Sequence, residues 1–325
     1  MRARKRSAAS APGVRLQTVT GALDAGSIGK VLAHEHMFVD FSGPDDAGYM
    51  DAAWSNKIGA AVESAAVLRA QGVDLVVDWT NLGVGRNALA LRDVSRQSGV
   101  RFVCPTGIYK ALVPPALAAL TSRKLADHFI GELAAGIDGT GIRAGFVKAA
   151  ASESGATAAE LPVLRAAVIA ATETGATIGF HGPQAATTRQ MAALVETQCG
   201  TLERFVWAHA QVASLDDNKR FAARGARLQY DAIGARSDPF FDGPVDDEAM
   251  LARLEAMVAA GYGDRILLST DASVCVNPPA AQYDRSNAYL YRYFEAMLEQ
   301  RLGAEPARRI LRDNVLEAFR LPERL

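Results

Sequence analysis

The sequence Val31-Leu32-Ala33-His34-Glu35-His36-Met37-Phe38-Val39 decides the fold. Most of its residues are apolar, which predicts a strand buried on both faces. Because side chains alternate between the two faces of a strand, His34 and His36 share one face and Glu35 points to the other. The stretch therefore predicts a central strand that presents a pair of metal ligands.

Seven more runs of this kind follow, and helical patterns rich in Ala, Leu and Arg separate most of them. The eight predicted strands are 30–39, 73–79, 101–108, 142–149, 176–181, 204–209, 227–233 and 265–270. The helix-like stretches are 57–71, 86–99, 159–174, 185–198, 214–224 and 246–261. Such alternation predicts an α/β protein with a parallel sheet and right-handed crossovers. Eight units favour a (β/α)8 TIM barrel, and an open doubly wound sheet is the alternative.

Composition limits the classes of partner. The chain has 325 residues, of which 49% are hydrophobic, and a formal net charge of -1. Such a chain can bury a large core, and it has no excess of charge for nucleic acid or an anionic membrane. The three cysteines, Cys104, Cys199 and Cys275, lie far apart and form no CxxC pair, so no disulfide framework or thiolate metal site is expected. A cytoplasmic protein is expected.

The first residues are basic, but no apolar segment follows them as it would in a signal peptide. We expect residues 1–14 to be a flexible basic tail and residues 15–325 to be a single barrel domain. No window approaches 18 uninterrupted apolar residues, so no membrane span is expected.

Polar side chains end four of the later strands. Lys148, His181, His209 and Asp271 lie at the ends of the fourth, fifth, sixth and eighth apolar runs, and His128 is the one histidine placed elsewhere. In a barrel the carboxyl ends of the strands meet at one mouth, where active sites of this fold lie. Singly, each has an ordinary role: a hydrogen-bonded core histidine, a helix N-cap or a lysine that reaches solvent. Together with the first histidine pair, they predict a metal site.

The chain resembles the phosphotriesterase family of the amidohydrolase superfamily. The resemblance rests on 16–21 (LQTVTG), 33–36 (AHEH), 143–148 (RAGFVK), the two later histidines and 269–271 (STD). It implies a (β/α)8 barrel that holds two divalent metal ions, bridged by a carboxylated lysine and a hydroxide. By resemblance the ligands of one ion are His34, His36 and Asp271, those of the other are His181 and His209, and Lys148 bridges both as N6-carboxylysine.

General chemistry is consistent with this assignment. An ammonium group has no acceptor, so Lys148 must be neutral to act as a ligand, and a neutral amine can add carbon dioxide to form an anionic carbamate. Two divalent ions then supply +4 against -3 from Asp271, the carbamate and a hydroxide, which leaves +1 to polarise a substrate oxygen. Imidazole and carboxylate ligands suit zinc, and manganese, cobalt, nickel or iron would also fit.

Two such ions activate water and polarise a carbonyl or phosphoryl oxygen, which predicts a hydrolase without an organic cofactor. Asp271 is expected to take the proton of the attacking hydroxide and pass it to the leaving group. Tyr109 resembles the tyrosine that family lactonases direct at the substrate ring, and a rim or packing role is the alternative.

Trp79 and Asn81 at the end of the second strand, Gln184 after His181 and Asp231 at the end of the seventh strand are further pocket candidates that could equally cap helices. We expect loops 234–245 and 272–284 to shape the pocket, the second as an apolar lid, with Arg236 and Arg285 as candidate anion-binding residues. Strands six and seven read WAHAQ and YDAIG, and both depart from the patterns of well-known family lactonases.

Three functions compete. The first is a hydrolase of lactones or carboxylic esters with phosphotriesterase side activity, which Tyr109 and an apolar lid favour. The second is a hydrolase of N-acyl amides or of phosphorylated sugar lactones, which would need an anion clamp. The third is a catalytically silent metal-binding protein, which would require a lost ligand, and all six are present. A small-molecule substrate and a homodimer are expected.

Overall fold

The computed structural model describes residues 14–49, 57–235, 246–277 and 286–322. The predicted tail, apart from Val14, therefore lies outside the described residues, as do Arg236 and Arg285 and most of the two predicted pocket loops. None of the described helices is long and apolar enough to cross a membrane.

Parallel strands alternate with helices over most of the described chain. The strands are β1 (Arg15–Thr18), β2 (Gly21–Asp24), β3 (Lys30–Asp40), β4 (Val73–Asp78), β5 (Arg101–Val103), β6 (Pro105–Thr106), β7 (Phe146–Ala150), β8 (Ile178–His181), β9 (Phe205–Ala208), β10 (Arg227–Tyr230), β11 (Ile266–Leu268) and β12 (Ser273–Asn277). The α-helices are α1 (Ile58–Ala70), α2 (Ala88–Ser98), α3 (Ser122–Ala134), α4 (Leu161–Thr174), α5 (Ala185–Cys199), α6 (Leu215–Ala223), α7 (Asp247–Ala259), α8 (Glu295–Leu302), α9 (Ala304–Arg308) and α10 (Asn314–Ala318).

The strands from β3 to β12 form the ring of a (β/α)8 barrel. One parallel sheet has the order β11-β10-β9-β8-β7-β6, and the other has the order β12-β3-β4-β5. Cys104 alone separates β5 from β6, which joins the sheets on one side. On the other side, the segment after β11 returns to β3, where the Asp271 amide donates to the His34 carbonyl at 3.1 Å.

Hydrophobic residues fill two layers. The inner core lies within the ring and includes Leu16, Val77, Phe146 and Phe319. A larger outer cluster lies between the ring and the helices. The β1–β2 hairpin is antiparallel and brings Leu16 into the inner core, while the Val19 amide donates to Phe102 at the start of the barrel.

Helix ends follow local sequence signals. The Asn87 side chain accepts from the Ala90 amide at the start of α2, and Ser214 accepts from Asp217 at the start of α6. Gly175 and Gly200 end α4 and α5 in the left-handed conformation, which glycine adopts without a steric penalty.

The predicted barrel is confirmed, and three local expectations need correction. The predicted strand 101–108 is interrupted at Cys104 and forms two short strands. Most other predicted strands end within a few residues of their predicted limits, although the fourth begins at Phe146 rather than 142. The predicted loop 272–284 begins with a strand, because β12 pairs in parallel with the end of β3, Ser273 opposite His36.

Candidate metal centre

A cavity opens at the carboxyl ends of the barrel strands. Among the described residues its lining comprises His34, His36, Val39, Phe41, Val84, Tyr109, Lys148, His181, His209, Asp271 and Ser273. All six predicted metal ligands and Tyr109 therefore meet in one cavity, although they come from strands or strand ends spread around the whole ring.

His34, His36 and Asp271 form one group. The two Nε2 atoms lie 3.3 Å apart, and each lies 3.3 Å from Asp271 Oδ1. One ligand atom from each residue lies within 4.8 Å of the others, as the ligands of a single metal ion would. Two nitrogens and one carboxylate oxygen are a donor set that suits zinc and similar divalent ions.

His181 at the end of β8 and His209 directly after β9 form a second group. His209 Nε2 faces His181 Nδ1 at 2.7 Å. The other nitrogen of His181, Nε2, lies 3.4 Å from the Tyr109 hydroxyl group. The two nitrogens that face each other can therefore both ligate one ion.

Asp231 lies beneath both groups and sets the direction of their histidines. It follows β10, is fully buried, and its two oxygens contact His34 Nδ1 at 3.0 Å and His209 Nδ1 at 2.9 Å. Gln211 donates a further hydrogen bond to Asp231 at 3.0 Å. A carboxylate can only accept here, so it fixes both rings with the proton on Nδ1 and the lone pair of Nε2 in the cavity.

The charge states also favour metal binding. Burial lowers the pKa of His34 to about 4, although Asp271 and Asp231 oppose this shift. Burial, with His209 and Lys148 nearby, holds the pKa of His181 well below its usual value. Burial alone would raise the pKa of Asp271, but the neighbouring histidines hold it well below its usual range. Neutral imidazoles and an ionised carboxylate are the ligand forms of these groups.

Lys148 is buried, with 2% of its surface exposed, and its amine lies between two aromatic rings. Nζ is 5.6 Å from the ring centres of both Trp79 and Tyr109. Within the described part of the chain it has no hydrogen bond or ion pair. Burial lowers the pKa of Lys148 to about 8, although Asp271 and other carboxylates oppose the shift. A buried amine without a carboxylate partner fits a lysine that carries a carbamate.

The backbone is strained at two of the candidate ligands. His209 has φ 62° and Asp271 has φ 50°, both in the left-handed region that non-glycine residues seldom adopt. Such strain persists where the surroundings over-determine a conformation, and it concentrates at functional sites.

The residues of this chain from 14 to 317 match the model of the phosphotriesterase family. The chain belongs to the phosphotriesterase family. It is 31% identical over 253 residues to the phosphotriesterase homology protein of Escherichia coli (strain K12), a match that covers 75% of this chain and 81% of that protein. It is 25% identical to the N-acetyltaurine hydrolase of Danio rerio, over 79% of this chain and 84% of that protein.

Solved structures of the family share the fold. A PTE-like lactonase mutant from Deinococcus radiodurans matches with a TM-score of 0.82 and 28% identity, over 94% of this chain and 99% of that one. An organophosphorus hydrolase mutant from Deinococcus radiodurans matches with a TM-score of 0.83 and 28% identity, over 94% and 97% of the two chains. Members of the family are hydrolases, and so is this chain.

The other pocket candidates lie outside the described cavity lining. Trp79 stacks beneath His34 at 4.2 Å, Asn81 donates to the Lys148 carbonyl at 3.2 Å, and Gln184 is exposed before α5. Asp231 was one of several interchangeable pocket or capping candidates in the sequence, and its contact with two histidines depends on the fold. Thr80, which contacts His36 Nδ1 at 2.8 Å, is not singled out by the sequence.

Proposed function

We propose that this protein is a binuclear metal-dependent hydrolase of lactones or carboxylic esters, with phosphotriesters as side substrates. The observation that carries the proposal is the convergence of two sets of ligand atoms in one open cavity, 2.7 Å apart in one set and 3.3 Å apart in the other. Lactonases and esterases need an activated water molecule next to a polarised carbonyl group.

In this proposal one divalent ion is held by His34, His36 and Asp271 and a second by His181 and His209. Lys148, as its carbamate, would supply a ligand oxygen to each ion. The donor set favours zinc, with manganese, cobalt, nickel or iron as alternatives. When bound, the ions supply an activated water nucleophile and polarise the substrate oxygen.

In this proposal Asp271 is the proton acceptor and donor. Its Oδ1 lies among the histidine nitrogens, and its side chain is 18% exposed at the cavity. The histidines keep the carboxyl group ionised, so it can accept the proton of the attacking water and return it to the alkoxide or phenoxide leaving group.

The cavity wall fits a neutral substrate with an apolar portion. Val39, Phe41 and Val84 line it on the side of the first strands, and Phe41 is 37% exposed. The Tyr109 hydroxyl group lies 3.4 Å from His181 Nε2. In this proposal Tyr109 orients a substrate ring next to the second pair of histidines.

An amide hydrolase is the second candidate. Several relatives are N-acetyltaurine hydrolases at 25–26% identity, which is close to the 28% shared with the lactonase structure. Lys110 follows Tyr109 and provides a cation beside the site, although it pairs with Glu153 at 2.8 Å. An N-acyl substrate with an anionic tail would need such a cation.

Metal analysis and a substrate panel test the proposal. Protein purified without chelators should hold about two metal ions per chain. It should hydrolyse γ- and δ-lactones and aryl esters with a higher kcat/KM than paraoxon or N-acetyltaurine. A preference for N-acetyltaurine would select the second candidate, and a chain with one ion or none and no hydrolysis would contradict both. The homodimer, the cytoplasmic location and the single barrel domain over residues 15–325 remain predictions.

A further inference from the structure

Glu35 lies between two candidate ligands, and its side chain reaches the opposite face of β3. It is fully buried. Its Oε1 accepts hydrogen bonds from Ser269 Oγ at 2.8 Å and from the Thr270 amide at 3.0 Å, and its Oε2 accepts from the Ala272 amide at 2.9 Å. The Thr270 hydroxyl group lies within 2.9 Å of both oxygens. The Glu35 carboxylate thus accepts hydrogen bonds from residues on both sides of Asp271.

These hydrogen bonds lie between β3 and the end of β11, where the two strands are not paired by regular backbone hydrogen bonds. β11 ends at Leu268 and β12 begins at Ser273, so the intervening segment 269–272 is not part of either strand. Few backbone bonds connect this segment to β3: Asp271 donates to His34, and His36 donates to Ala272 at 2.9 Å. The Glu35 side chain therefore supplies much of the connection at this seam.

Asp271 itself needs outside support. Its φ of 50° is unfavourable for an aspartate, and such a conformation persists only where the surroundings impose it. Both neighbours, Thr270 and Ala272, are fixed through their amides by Glu35, whereas the Asp271 side chain points at the histidines. Glu35, on one face of β3, thus holds the loop that places the Asp271 carboxylate on the other face.

We propose that Glu35 is a positioning residue that holds segment 269–272 so that Asp271 meets His34 and His36. The inference rests on the proposed function, in which Asp271 is a metal ligand and the proton acceptor. Glutamine at position 35 keeps the shape of the side chain but replaces one acceptor oxygen with an NH2 group. That group would face donors, so at least one of the bonds beside Asp271 must break.

Glu35→Gln should be compared with Glu160→Gln, a matched control. Glu160 is equally buried, with 1% exposed, and likewise accepts from a serine hydroxyl, Ser152 at 2.7 Å, and from a backbone amide, Thr157 at 2.8 Å.

The first measurement is a calorimetric Zn²⁺ titration of chelator-treated protein. Wild type and Glu160→Gln should bind two ions with the same affinities, and Glu35→Gln should bind one of the two roughly 10- to 100-fold more weakly, as outer-sphere changes commonly do. The second measurement, at saturating Zn²⁺, is kcat for an alkyl ester and for a 4-nitrophenyl ester. Glu35→Gln should reduce kcat for the alkyl ester at least about tenfold more than kcat for the 4-nitrophenyl ester, because only the alkoxide leaving group needs a proton on departure.

A merely structural role would change the folded fraction and lower both rates equally. Folded Glu35→Gln with wild-type Zn²⁺ affinities and an unchanged ratio of the two rates would refute the positioning role. If Glu35→Gln does not fold, Thr270→Val is used in its place, because this substitution removes only the hydroxyl group near both Glu35 oxygens. The same changes in Zn²⁺ affinity and in the ratio of the two rates are then expected, with smaller size. Failure of the proposed function would differ, since wild type itself would then bind no Zn²⁺ or hydrolyse neither ester.

Discussion

Asp231 connects the two candidate metal groups through a single side chain. One of its oxygens contacts His34 and the other contacts His209, which lie in different groups. Burial would raise the pKa of Asp231, but His209 and His34 hold it well below its usual range, so it stays an acceptor. Both rings thereby keep their Nε2 lone pairs in the cavity.

Asp231→Asn should weaken binding at both metal sites. An asparagine oxygen can accept from one Nδ1–H group, but its NH2 group would face the other and favour the wrong tautomer. We expect a loss of Zn²⁺ affinity or activity of roughly 10- to 100-fold, measured by titration and by kcat. Glu173→Gln, which changes an exposed carboxylate, is the control. Unaltered affinity at both sites in Asp231→Asn would show that the tautomers are fixed in another way.

Lys148→Ala should lose metal and activity together. The substitution removes the amine that is proposed to carry the bridging carbamate, and short carboxylates such as acetate or propionate should partly restore both by taking its place. Lys148→Arg should not be rescued, because a guanidinium cannot be deprotonated and its bulk remains in the site. Metal content per chain and kcat with and without acetate are the measurements. A fully metallated, active alanine variant would contradict the carbamate.

Asp271→Asn separates metal binding from proton transfer. Asparagine keeps the shape and one oxygen but neither the charge nor the ability to accept the proton. We expect kcat to fall by roughly 10²–10⁴, the usual effect of a positioned general base, with a much smaller change in KM. Assays with saturating Zn²⁺ exclude simple metal loss. A kcat near that of wild type would mean that another group takes the proton.

Among the elements, the strands were predictable and their connections less so. The runs that became β7, β8 and β9 are short and apolar and have a polar residue near the end, which predicts both a strand and a candidate ligand. β12 could not be predicted, because Ser273–Asn277 continues a loop in sequence and becomes a strand only by pairing with the end of β3. The contact of Asp231 with His34 likewise depends on ring closure, since these residues are 197 positions apart.

Substitution of two glycines tests whether the close approach of the segment after β6 to β7 is needed at the site. Gly107 has φ 101°, and a Cβ there would lie 2.0 Å from the Lys148 carbonyl oxygen. Gly131 lies within α3, and a Cβ there would meet nothing within 4 Å. Gly107→Ala should therefore destabilise the protein by at least about 2 kcal/mol through strain and overlap, and move β7 at Lys148. Gly131→Ala should stabilise it by about 0.5–1 kcal/mol.

Denaturant unfolding, with metal content measured on each variant, checks both substitutions. The two substitutions are expected to change the free energy of unfolding in opposite directions. A general effect of an added methyl group would change it in the same direction in both variants. If Gly107→Ala were as stable as wild type and fully metallated, the close approach of the segment after β6 to β7 would not be needed to place Lys148.

At the scale of the whole molecule, the alternation of eight strands with helices predicts the barrel, and the barrel then brings the strand ends together. This step explains how six candidate ligands scattered from residue 34 to residue 271 could be predicted from the sequence to lie in one cavity. The substrate could not be identified in the same way, because it depends on loops and on wall residues such as Phe41 and Val84, whose side chains carry no distinctive chemistry.

Removal of the metal ions should lower the stability of the entire barrel. His181 Nδ1 and His209 Nε2 face each other at 2.7 Å, and Asp271 Oδ1 lies 3.3 Å from His34 Nε2, so bound ions would hold these side chains together. The ligands come from both sheets and from both sides of the seam, so unfolding must break every metal bond. Free metal at about 100 times its Kd stabilises a folded protein by about 2.7 kcal/mol for each independent site.

We therefore expect dialysis against a chelator to lower Tm by several degrees. Zn²⁺ should restore it in proportion to the ions bound, whereas Mg²⁺, which prefers oxygen ligands, should not. The combined variant His181→Asn/His209→Asn, which keeps one ligand group, should show about half of this gain when Zn²⁺ is added. A Tm that does not respond to chelation or to Zn²⁺ would mean that the cluster is held by hydrogen bonds alone, and the binuclear site would then be contradicted independently of any substrate.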